Sequence, residues 1–268
     1  MPAKISKLSV IVPAYNKDSE VFQVVTNLIS ELKHQNLDWE LIVIDDCSRD
    51  KTLKEAIKSK KFNGNTKNIK IYSYNLNQGK GFALYYGFKK SEGDVIVFVD
   101  SDLDIPAQNV SNLIKSYIKT NSNIIIGSKR HPFSQVNYPL LRKFMSKNYQ
   151  LLVKILFNLN VADTQVGLKL FSREVLEESF PRIVVKNFAF DLELLMVAKN
   201  LGYKKILEIP VILNYNFSST IEIKSVIKIL QDTLAIFYRK NFLKYYDAPH
   251  YKLEQDEIHI IPARKAFI

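Results

Sequence analysis

The sequence predicts an α/β protein whose core is a doubly wound, mostly parallel β-sheet with helices on both faces. Short apolar runs rich in β-branched residues recur in the first half of the chain, at 8–12, 40–44, 69–74, 94–99 and 123–127. Segments in which apolar residues return every three or four positions separate these runs, as at 19–34 and 107–120. This alternation is typical of parallel sheets covered by helices on both sides.

The second half of the chain continues the alternation with longer elements. Helices are predicted over 139–159 and 188–202, a loop over 160–172, and a further strand over 206–215. No linker rich in glycine, serine or proline interrupts these elements, so we expect one folded domain over 1–220.

Two shorter segments follow this domain. Residues 221–246 have apolar residues at helical spacing and are expected to form an amphipathic helix. Residues 247–268 contain two prolines and mixed charge, which is typical of a flexible tail.

Composition limits the class of partner and the compartment. The 38 Lys and Arg residues exceed the 27 Asp and Glu residues, and the net charge of +11 favours an anionic partner. The single cysteine, Cys47, excludes internal disulfides and a cysteine-based zinc site, as expected in a reducing compartment. No signal peptide is recognisable, and no uncharged apolar run reaches the roughly 20 residues that span a bilayer. We therefore expect a cytoplasmic protein.

Polar residues follow every predicted strand of the first half. In an open parallel sheet, ligands bind beyond the carboxyl ends of the strands, near the point where the strand order reverses. The residues at those ends are 13-PAYN-16, 45-DDCSRD-50, 75-NLNQGKG-81, 100-DSDLD-104 and 127-GSKR-130. Together they predict a site for a polar ligand at this edge of the sheet.

The second and third of these strand ends carry candidate ligand contacts. Asp45 and Asp46 are adjacent like charges, which a nucleoside base or ribose hydroxyls would compensate, whereas Asp50 is expected to cap the next helix. Gly79 permits close backbone approach, and Lys80 lies near a predicted helix N-terminus, where anions are favoured. The run around them lacks the spacing of a nucleoside triphosphatase phosphate loop.

The fourth strand end carries carboxylates at alternate positions. In an extended segment, residues two apart point the same way, so Asp100, Asp102 and Asp104 are expected to aim at one ion. Carboxylate oxygens suit Mg²⁺ or Mn²⁺ that holds a diphosphate. A solvated loop is the alternative, and the position at the end of a sheet strand favours the metal.

These motifs resemble those of family-2 glycosyltransferases with the GT-A fold, in the branch of polyprenyl-phosphate sugar synthases such as dolichyl-phosphate mannose and dolichyl-phosphate glucose synthases. The resemblance covers roughly residues 8 to 240. Its motifs are VIVPAYN (10–16), VIDDCSRD (43–50), NQGKGFAL (77–84), FVDSDLD (98–104), GSKR (127–130), DTQVGLKLF (163–171) and FAFDLELLMVAKNLGYKKILEIPV (188–211).

The resemblance implies inverting transfer of a hexose from a nucleotide-diphosphate sugar, UDP-glucose or GDP-mannose, to a polyprenyl phosphate such as dolichyl or undecaprenyl phosphate. It implies that the nucleoside is held by Pro13, Ala14, Tyr15, Asp45 and Asp46. Gly79 and Lys80 would lie beside the sugar diphosphate. Asp100 and Asp102 would bind the diphosphate through Mg²⁺ or Mn²⁺, with Asp104 nearby.

The acceptor implied by the resemblance needs a basic pocket. A phosphate monoester is already ionised at neutral pH, so it needs positioning and charge screening and no general base. Arg130, Arg142 and Lys169 are the candidate cations, and Gln165 is a candidate hydrogen-bond donor. Asp163 is the candidate base for a hydroxyl acceptor, and a loop-capping role for Asp163 is equally expected.

Two other functions remain open at this point. One is a glycosyltransferase of the same fold that acts on a glycan or other hydroxyl acceptor. The segments DTQVGLKLF and AFDLELL disfavour it. The similarity of these segments to the glucose synthases favours UDP-glucose as the donor. A non-catalytic nucleotide- or nucleic-acid-binding protein would explain the positive charge, but the aromatic residues lie in apolar runs typical of a core. We therefore expect no nucleic-acid partner. Lys17, Val166 and Leu168 depart from residues common in the family.

The segment 221–246 indicates how the chain reaches a lipid substrate. Its apolar face at helical spacing comprises Ile223, Val226, Ile227, Leu230, Leu234 and Phe237. Aromatic residues alternate with Lys and Arg at its end, as in helices that lie on an anionic bilayer surface. Packing against the domain is the alternative. A peripheral position on the cytoplasmic membrane face and a membrane-protein partner are further expectations.

Overall fold

The computed structural model describes residues 4–135, 140–187, 189–214 and 223–248, without the side chains of 140–144 and 223–225. Within this part, one sheet is formed by β1 (Lys7–Ala14), β2 (Asp38–Asp45), β3 (Ile69–Ser73), β4 (Val95–Val99), β5 (Ile124–Ser128), β6 (Leu168–Ser172) and β7 (Ile206–Pro210). The strand order is β3-β2-β1-β4-β6-β5-β7. Strand β6 is antiparallel to β4 and β5, and the other neighbours are parallel. The predicted mostly parallel α/β fold is confirmed.

Strand β6 lies in the segment 160–172, for which a loop was the wrong prediction. Lys169 interrupts the short apolar run of this strand and obscures the strand pattern. Its side chain is nevertheless completely buried, because Asp191 from a later helix forms an ion pair with it at 2.7 Å. Burial of a lysine requires such a partner, and sequence periodicity does not show a partner that lies 22 residues away.

The helices of the described part are α1 (Val21–Lys33), α2 (Thr52–Phe62), α3 (Lys80–Lys90), α4 (Gln108–Thr120), α5 (Leu140–Phe157), α6 (Arg173–Ser179), α7 (Phe190–Asn200) and α8 (Ile223–Asn241). The helices predicted over 19–34, 107–120, 139–159 and 188–202 are confirmed as α1, α4, α5 and α7. Helix α6 and a 3₁₀ turn at Phe180–Arg182 were not predicted.

The two faces of the sheet are buried in separate apolar clusters. In β1, Ile11 belongs to one cluster, whereas Val10 and Val12 belong to the other. Strands buried on both faces are apolar at almost every position, which explains the continuous apolar runs in the sequence. Most polar residues consequently follow the strand ends, and some of those within strands, such as Ser9, Glu40 and Lys169, are buried.

Helix α8 packs on the domain through one face. Thr233 and Ile236 are completely buried, and the Thr233 hydroxyl lies 3.1 Å from the Tyr149 hydroxyl of α5. Beyond the helix, the Tyr246 hydroxyl donates a hydrogen bond to the buried Glu193 carboxylate of α7. The segment is therefore attached to the core at both its middle and its end.

The apolar face predicted for this helix is divided in the structure. Phe237 is partly buried against the core, whereas Ile227, Leu230 and Leu234 are 50%, 38% and 56% exposed. The Ile223 side chain and the predicted tail beyond residue 248 lie outside the described residues. Among the described residues, no helix is long and apolar enough to cross a bilayer.

Candidate active site

An open cleft of about 520 Å³ lies at the carboxyl ends of the central strands. Strand β1 pairs with β2 on one side and with β4 on the other, so the strand order reverses at β1. This is the position at which open α/β sheets bind ligands. Of the predicted site residues, those lining the cleft are Pro13, Ala14, Tyr15, Asp46, Gly79, Lys80, Asp100, Asp102 and Gln165.

Asp46 organises the loop that leads into α3. Its carboxylate accepts hydrogen bonds from the Tyr74 hydroxyl at 2.7 Å, the Asn77 amide at 2.9 Å, and the backbone N–H groups of Gln78 and Gly79 at 2.7 and 2.8 Å. Burial raises the pKa of Asp46, although these hydrogen bonds oppose the shift. The Asp46 carboxylate thus supports the wall of the cleft through protein donors.

Asp45 and Asp50 differ in how their oxygens are used. Asp45 Oδ2 accepts a hydrogen bond from the Ser73 hydroxyl at 2.8 Å, whereas its buried Oδ1 has no protein donor. Asp50 accepts hydrogen bonds from the backbone N–H groups of Thr52, the first residue of α2, and of Asp18. The predicted capping role of Asp50 is confirmed, and Asp45 retains a free acceptor next to the cleft.

Gly79 brings the α3 loop against the segment that precedes α7. Its φ of 89° is in the left-handed region, and a Cβ there would lie 2.3 Å from Asn187 Oδ1 and 2.7 Å from the Lys186 carbonyl oxygen. Only glycine permits both this backbone conformation and this approach. The contact places Asn187 and, one turn later, Asp191 in the cleft.

A chain of four charged side chains runs from the cleft into the core. Lys80 Nζ lies 2.7 Å from Asp100 Oδ1 and 3.3 Å from Asp191 Oδ2. Lys169 Nζ lies 2.7 Å from Asp191 Oδ1 and also donates to the Val166 carbonyl. The four charges therefore alternate in sign, which stabilises each of them away from water.

The pKa values in this chain shift in the directions that keep Lys80 and Asp191 charged. Burial lowers the pKa of Lys80, but the carboxylates of Asp100 and Asp191 outweigh burial and raise it above its ordinary value. Burial likewise raises the pKa of Asp191, and the two lysines reverse this shift. For Lys169, burial prevails over the attraction of Asp191 and lowers the pKa.

Asp102 has a buried oxygen that lacks a donor. Its Oδ1 has no hydrogen-bond partner, and burial together with the charges of Asp100 and Asp104 raises the pKa of Asp102 to about 6. A buried carboxylate oxygen without a donor costs free energy, which a divalent cation would offset. Asp100 and Asp102 supply the hard oxygen ligands that Mg²⁺ and Mn²⁺ prefer, so these residues fit such an ion.

The expectation that three carboxylates aim at one ion is not met. Among the described residues, no three His, Cys, Asp or Glu side chains converge as a metal-binding group. Side chains two residues apart point the same way only in an extended segment, but residues 101–104 form bends and a turn. The Asp104 backbone carbonyl accepts a hydrogen bond at 3.0 Å from the N–H of Asn214, in the segment that follows β7.

The residues predicted to act on the acceptor lie in different environments. Asp163 accepts hydrogen bonds from the N–H groups of Lys129 and Gln165, each at 3.1 Å, as the loop-capping alternative requires. Lys169 has no exposed surface, so its contacts are with Asp191 and the protein backbone. Neither side chain lines the cleft.

Of the other two described candidates for acceptor contacts, Gln165 lines the cleft, whereas Arg130 does not. Arg130 Nη2 donates to the Ser146 hydroxyl of α5 at 2.6 Å, and its side chain is only partly buried. Gln165 lines the cleft, and its buried Nε2 lacks a protein acceptor. The side chain of Arg142 lies outside the described residues.

Two cleft residues, Asp191 and Asn187, were not predicted as site residues. A carboxylate in the apolar run of α7 and a lysine in the apolar run of β6 are each unfavourable alone. Two opposite charges in separate buried elements could have indicated a pair. The position of Asp191 at the cleft does not follow from this pairing, because it depends on the close contact of Gly79 with Lys186 and Asn187, just before α7.

The chain is similar to known glycosyltransferases along most of its length. It is 30% identical to the dolichyl-phosphate beta-glucosyltransferase ALG5A of Trichomonas vaginalis over 257 residues, which cover 91% of this chain and 77% of that protein. It is 32% identical to the human dolichyl-phosphate beta-glucosyltransferase over 207 residues, which cover 72% of this chain and 63% of that protein.

Solved structures share the fold at lower identity. Mannosyl-3-phosphoglycerate synthase from Rubrobacter xylanophilus has a TM-score of 0.69 at 16% identity, and the match covers 89% of this chain and 74% of that one. Glucosyl-3-phosphoglycerate synthase from Mycobacterium tuberculosis, in complex with Mn²⁺, UDP-glucose and phosphoglyceric acid, has a TM-score of 0.65 at 19% identity, with coverages of 91% and 81%.

The family model of glycosyl transferase family 2 matches residues 9–180. This range contains β2, β4 and the carboxyl end of β1, which form the cleft together with Lys80, Asp100 and Asp102. Because this model matches most of the chain, and the Trichomonas vaginalis relative is 30% identical over 91% of it, the chain belongs to glycosyl transferase family 2.

Proposed function

We propose that this chain is an inverting glucosyltransferase that moves glucose from UDP-glucose to a polyprenyl phosphate of the dolichyl type. Transfer to a polyprenyl phosphate is supported by the similarity to dolichyl-phosphate beta-glucosyltransferases over 91% of the chain. The observation that carries the proposal is the cluster of Lys80, Asp100 and the unpaired Asp102 at the strand ends of the family-2 segment.

The donor is assigned to the side of the cleft formed by β1 and β2. Pro13, Ala14 and Tyr15 provide the wall for the nucleoside, and Asp45 Oδ1 offers an acceptor for one of its donors. Asn187 lies across the cleft, where its amide can bind sugar hydroxyls. The Mycobacterium tuberculosis enzyme with bound UDP-glucose supports a uridine nucleotide over a guanosine one.

A divalent ion, Mg²⁺ or Mn²⁺, would be held by Asp100 and Asp102. When bound, such an ion is a Lewis acid that neutralises the departing nucleoside diphosphate. Lys80 contributes a second positive charge at the same place, because its pKa is raised by Asp100 and Asp191. These groups stabilise charge that develops on the leaving group in the transition state.

The acceptor is a phosphate because the candidate bases are already engaged. Both oxygens of Asp163 accept backbone hydrogen bonds, and Asp191 is held ionised between Lys80 and Lys169. A phosphate oxygen carries its own negative charge, attacks the anomeric carbon directly, and inverts it as UDP leaves. Arg130 is assigned to the orientation of the acceptor phosphate. Arg142 is the second candidate for the same role.

The donor assignment is tested by a thermal-shift panel of nucleotide sugars with Mn²⁺. A ligand that binds only the folded state raises the melting temperature, by an amount that grows with its concentration over its Kd. UDP-glucose with Mn²⁺ is expected to raise it more than GDP-mannose with Mn²⁺, and neither is expected to raise it with EDTA. A larger shift with GDP-mannose would replace UDP-glucose as the donor.

The lipid acceptor requires contact with a membrane, and α8 provides a surface for it. Ile227, Leu230 and Leu234 are exposed on α8, while Leu151 and Ile155 are 56% and 70% exposed on α5, which packs against it. Lys228 of α8 and Lys154 of α5 are also exposed on these helices, and anionic lipids attract such residues. We assign the chain to a peripheral position on the cytoplasmic face of an anionic membrane. A membrane-protein partner on the same surface is the alternative.

A further inference from the structure

We infer that Lys80 and the divalent ion compete for Asp100, and that Lys80 is retained by Asp191 when the ion displaces it. The inference rests on the proposed function, because it concerns the ion that a nucleotide-sugar transferase would use. It assigns Lys80 a role in coupling ion binding to donor binding, and it assigns Asp191 the role of a positioning residue.

The competition follows from the contact between Lys80 and Asp100. Lys80 Nζ lies 2.7 Å from Asp100 Oδ1, which is the distance of a charge-assisted hydrogen bond. A divalent ion bound by Asp100 and Asp102 would approach the same carboxylate, and an ammonium group would repel it at that range. The two cations therefore exclude each other at Asp100.

Asp100 is the fixed member of this pair. Its N–H donates to the Gly167 carbonyl at 2.9 Å, and a Cβ on Gly167 would lie only 1.8 Å from Asp100 Oδ2. The Asp100 carboxylate is thus packed directly against the backbone of Gly167, the residue before β6. Lys80 has a flexible side chain that is 31% exposed, so the exchange requires movement of Lys80 alone.

Asp191 keeps the displaced lysine in the cleft. Its Oδ2 lies 3.3 Å from Lys80 Nζ, while its Oδ1 is bound by the completely buried Lys169. When Lys80 leaves Asp100, this second contact remains, and the ammonium group can turn toward the diphosphate of the donor. A bound nucleoside diphosphate therefore favours displacement of Lys80 from Asp100 by the ion, because the diphosphate can contact both the ion and the Lys80 ammonium group.

The test is direct Mn²⁺ binding to the full chain, measured by electron paramagnetic resonance without nucleotide. Lys80→Met is expected to bind Mn²⁺ about tenfold more tightly than wild type, since loss of a charge-assisted bond of this kind changes affinity by about that factor. Lys80→Arg keeps the charge and the contact, so its affinity is expected to stay near wild type.

Lys17→Met is the matched control for a general charge effect. Lys17 also lines the cleft, but its ammonium group pairs with Glu20 at 3.1 Å. Its removal is expected to tighten Mn²⁺ binding less than Lys80→Met, and this smaller effect of Lys17→Met is expected to shrink with added salt, because salt screens charges that are not in direct contact with the ion site. Equal effects of the two substitutions would overturn the direct competition.

Repetition of the titration with UDP separates this inference from the proposed function. With UDP present, the advantage of Lys80→Met is expected to disappear, because the variant lacks the group that binds the diphosphate. If wild type binds Mn²⁺ with UDP, but Lys80→Met gains no affinity without it, the competition is wrong and the proposed function stands. If wild type binds no Mn²⁺ even with UDP, the metal assignment itself fails.

Discussion

Asp102 and Lys169 illustrate how single residues in this protein serve the cleft at the expense of local stability. Asp102 has a buried oxygen without a donor, and Lys169 is a buried cation whose charge depends on one carboxylate. Both arrangements are unfavourable in an ordinary core. Such groups are common where a site must bind a charged ligand.

Asp102→Asn is expected to abolish metal-dependent transfer without lowering the melting temperature. The substitution removes a ligand charge, creates no cavity, and replaces a buried carboxylate that lacks a donor. Turnover with Mg²⁺ or Mn²⁺ and circular-dichroism melting are the measurements. Near-normal turnover of the purified variant would contradict the assignment of Asp102.

Lys169→Met is expected to destabilise the fold by about 3–5 kcal/mol, because removal of one partner leaves a buried charge poorly compensated. Urea unfolding measures this change in the free energy of unfolding. The control is Lys58→Met, since Lys58 is exposed and its ion pair with Glu55 on α2 should contribute less than about 1 kcal/mol. Similar small effects for both variants would show that the Lys169–Asp191 pair is not structural.

Arg130→Ala is expected to raise the KM for polyprenyl phosphate about tenfold, with a smaller effect on the KM for the donor. The substitution removes one charge-assisted bond to the acceptor phosphate. Steady-state kinetics with each substrate varied in turn provide the measurement. If only donor binding weakens, Arg130 belongs to the donor side of the site.

Among the secondary-structure elements, strands and helices could be predicted from the sequence where their residues are uniformly apolar and buried. The prediction failed where a charged residue is buried. Strands β1, β2, β4 and β5 are buried along almost their whole length, so their positions follow from continuous apolar runs in the sequence. The position of β6 does not, because its buried Lys169 depends on α7. The prediction that the three aspartates point at one ion also failed, because residues 101–104 turn and their backbone forms hydrogen bonds with Glu20 and Asn214, which lie far away in the sequence.

Helix α8 combines core packing and an exposed apolar face, so its two roles can be tested separately. Tyr246→Phe removes a hydroxyl that donates to the buried Glu193 carboxylate, which also binds the N–H groups of Val184 and Val185. We expect a loss of about 1–3 kcal/mol in the free energy of unfolding, measured in urea. An unchanged free energy would mean that α8 is not attached to α7 through this contact.

The double substitution Leu230→Ser and Leu234→Ser is expected to weaken flotation with anionic vesicles and to leave the melting temperature nearly unchanged. Both side chains are exposed, so they contribute little to the core. Phe62→Ser is the matched control, because Phe62 is 72% exposed on α2. Equal flotation of all three proteins would assign α8 to the core alone. Truncation after Tyr215 is a poorer test, since it also removes the buried Ile236 and Tyr246.

At the scale of the whole molecule, the strand order converts separate motifs into one site. The sequence places polar residues after each strand, but only the position of β1 between β2 and β4 brings Tyr15, Asp46 and Asp100 to one cleft. The general location of the site was therefore predictable from the rule for open sheets. The participation of Asp191 was not, because α7 reaches the cleft through the close contact at Gly79.

The net charge of +11 acts over the whole surface, so salt should affect vesicle binding. Flotation with anionic vesicles is expected to decrease when the salt concentration rises. Each basic residue near the surface contributes about 1 kcal/mol of attraction. Flotation that is equal at low and high salt would assign the interaction to apolar contacts alone.

A transfer assay with radiolabelled UDP-glucose, dolichyl phosphate in detergent and the purified full chain measures the proposed glucosyl transfer itself. We predict that label enters the organic phase as a glycolipid when Mg²⁺ or Mn²⁺ is present, and that EDTA prevents this transfer. The Asp102→Asn protein should form no labelled lipid under the same conditions. Label that appears in a soluble glycan, or no labelled lipid from a protein that binds UDP-glucose, would contradict the account.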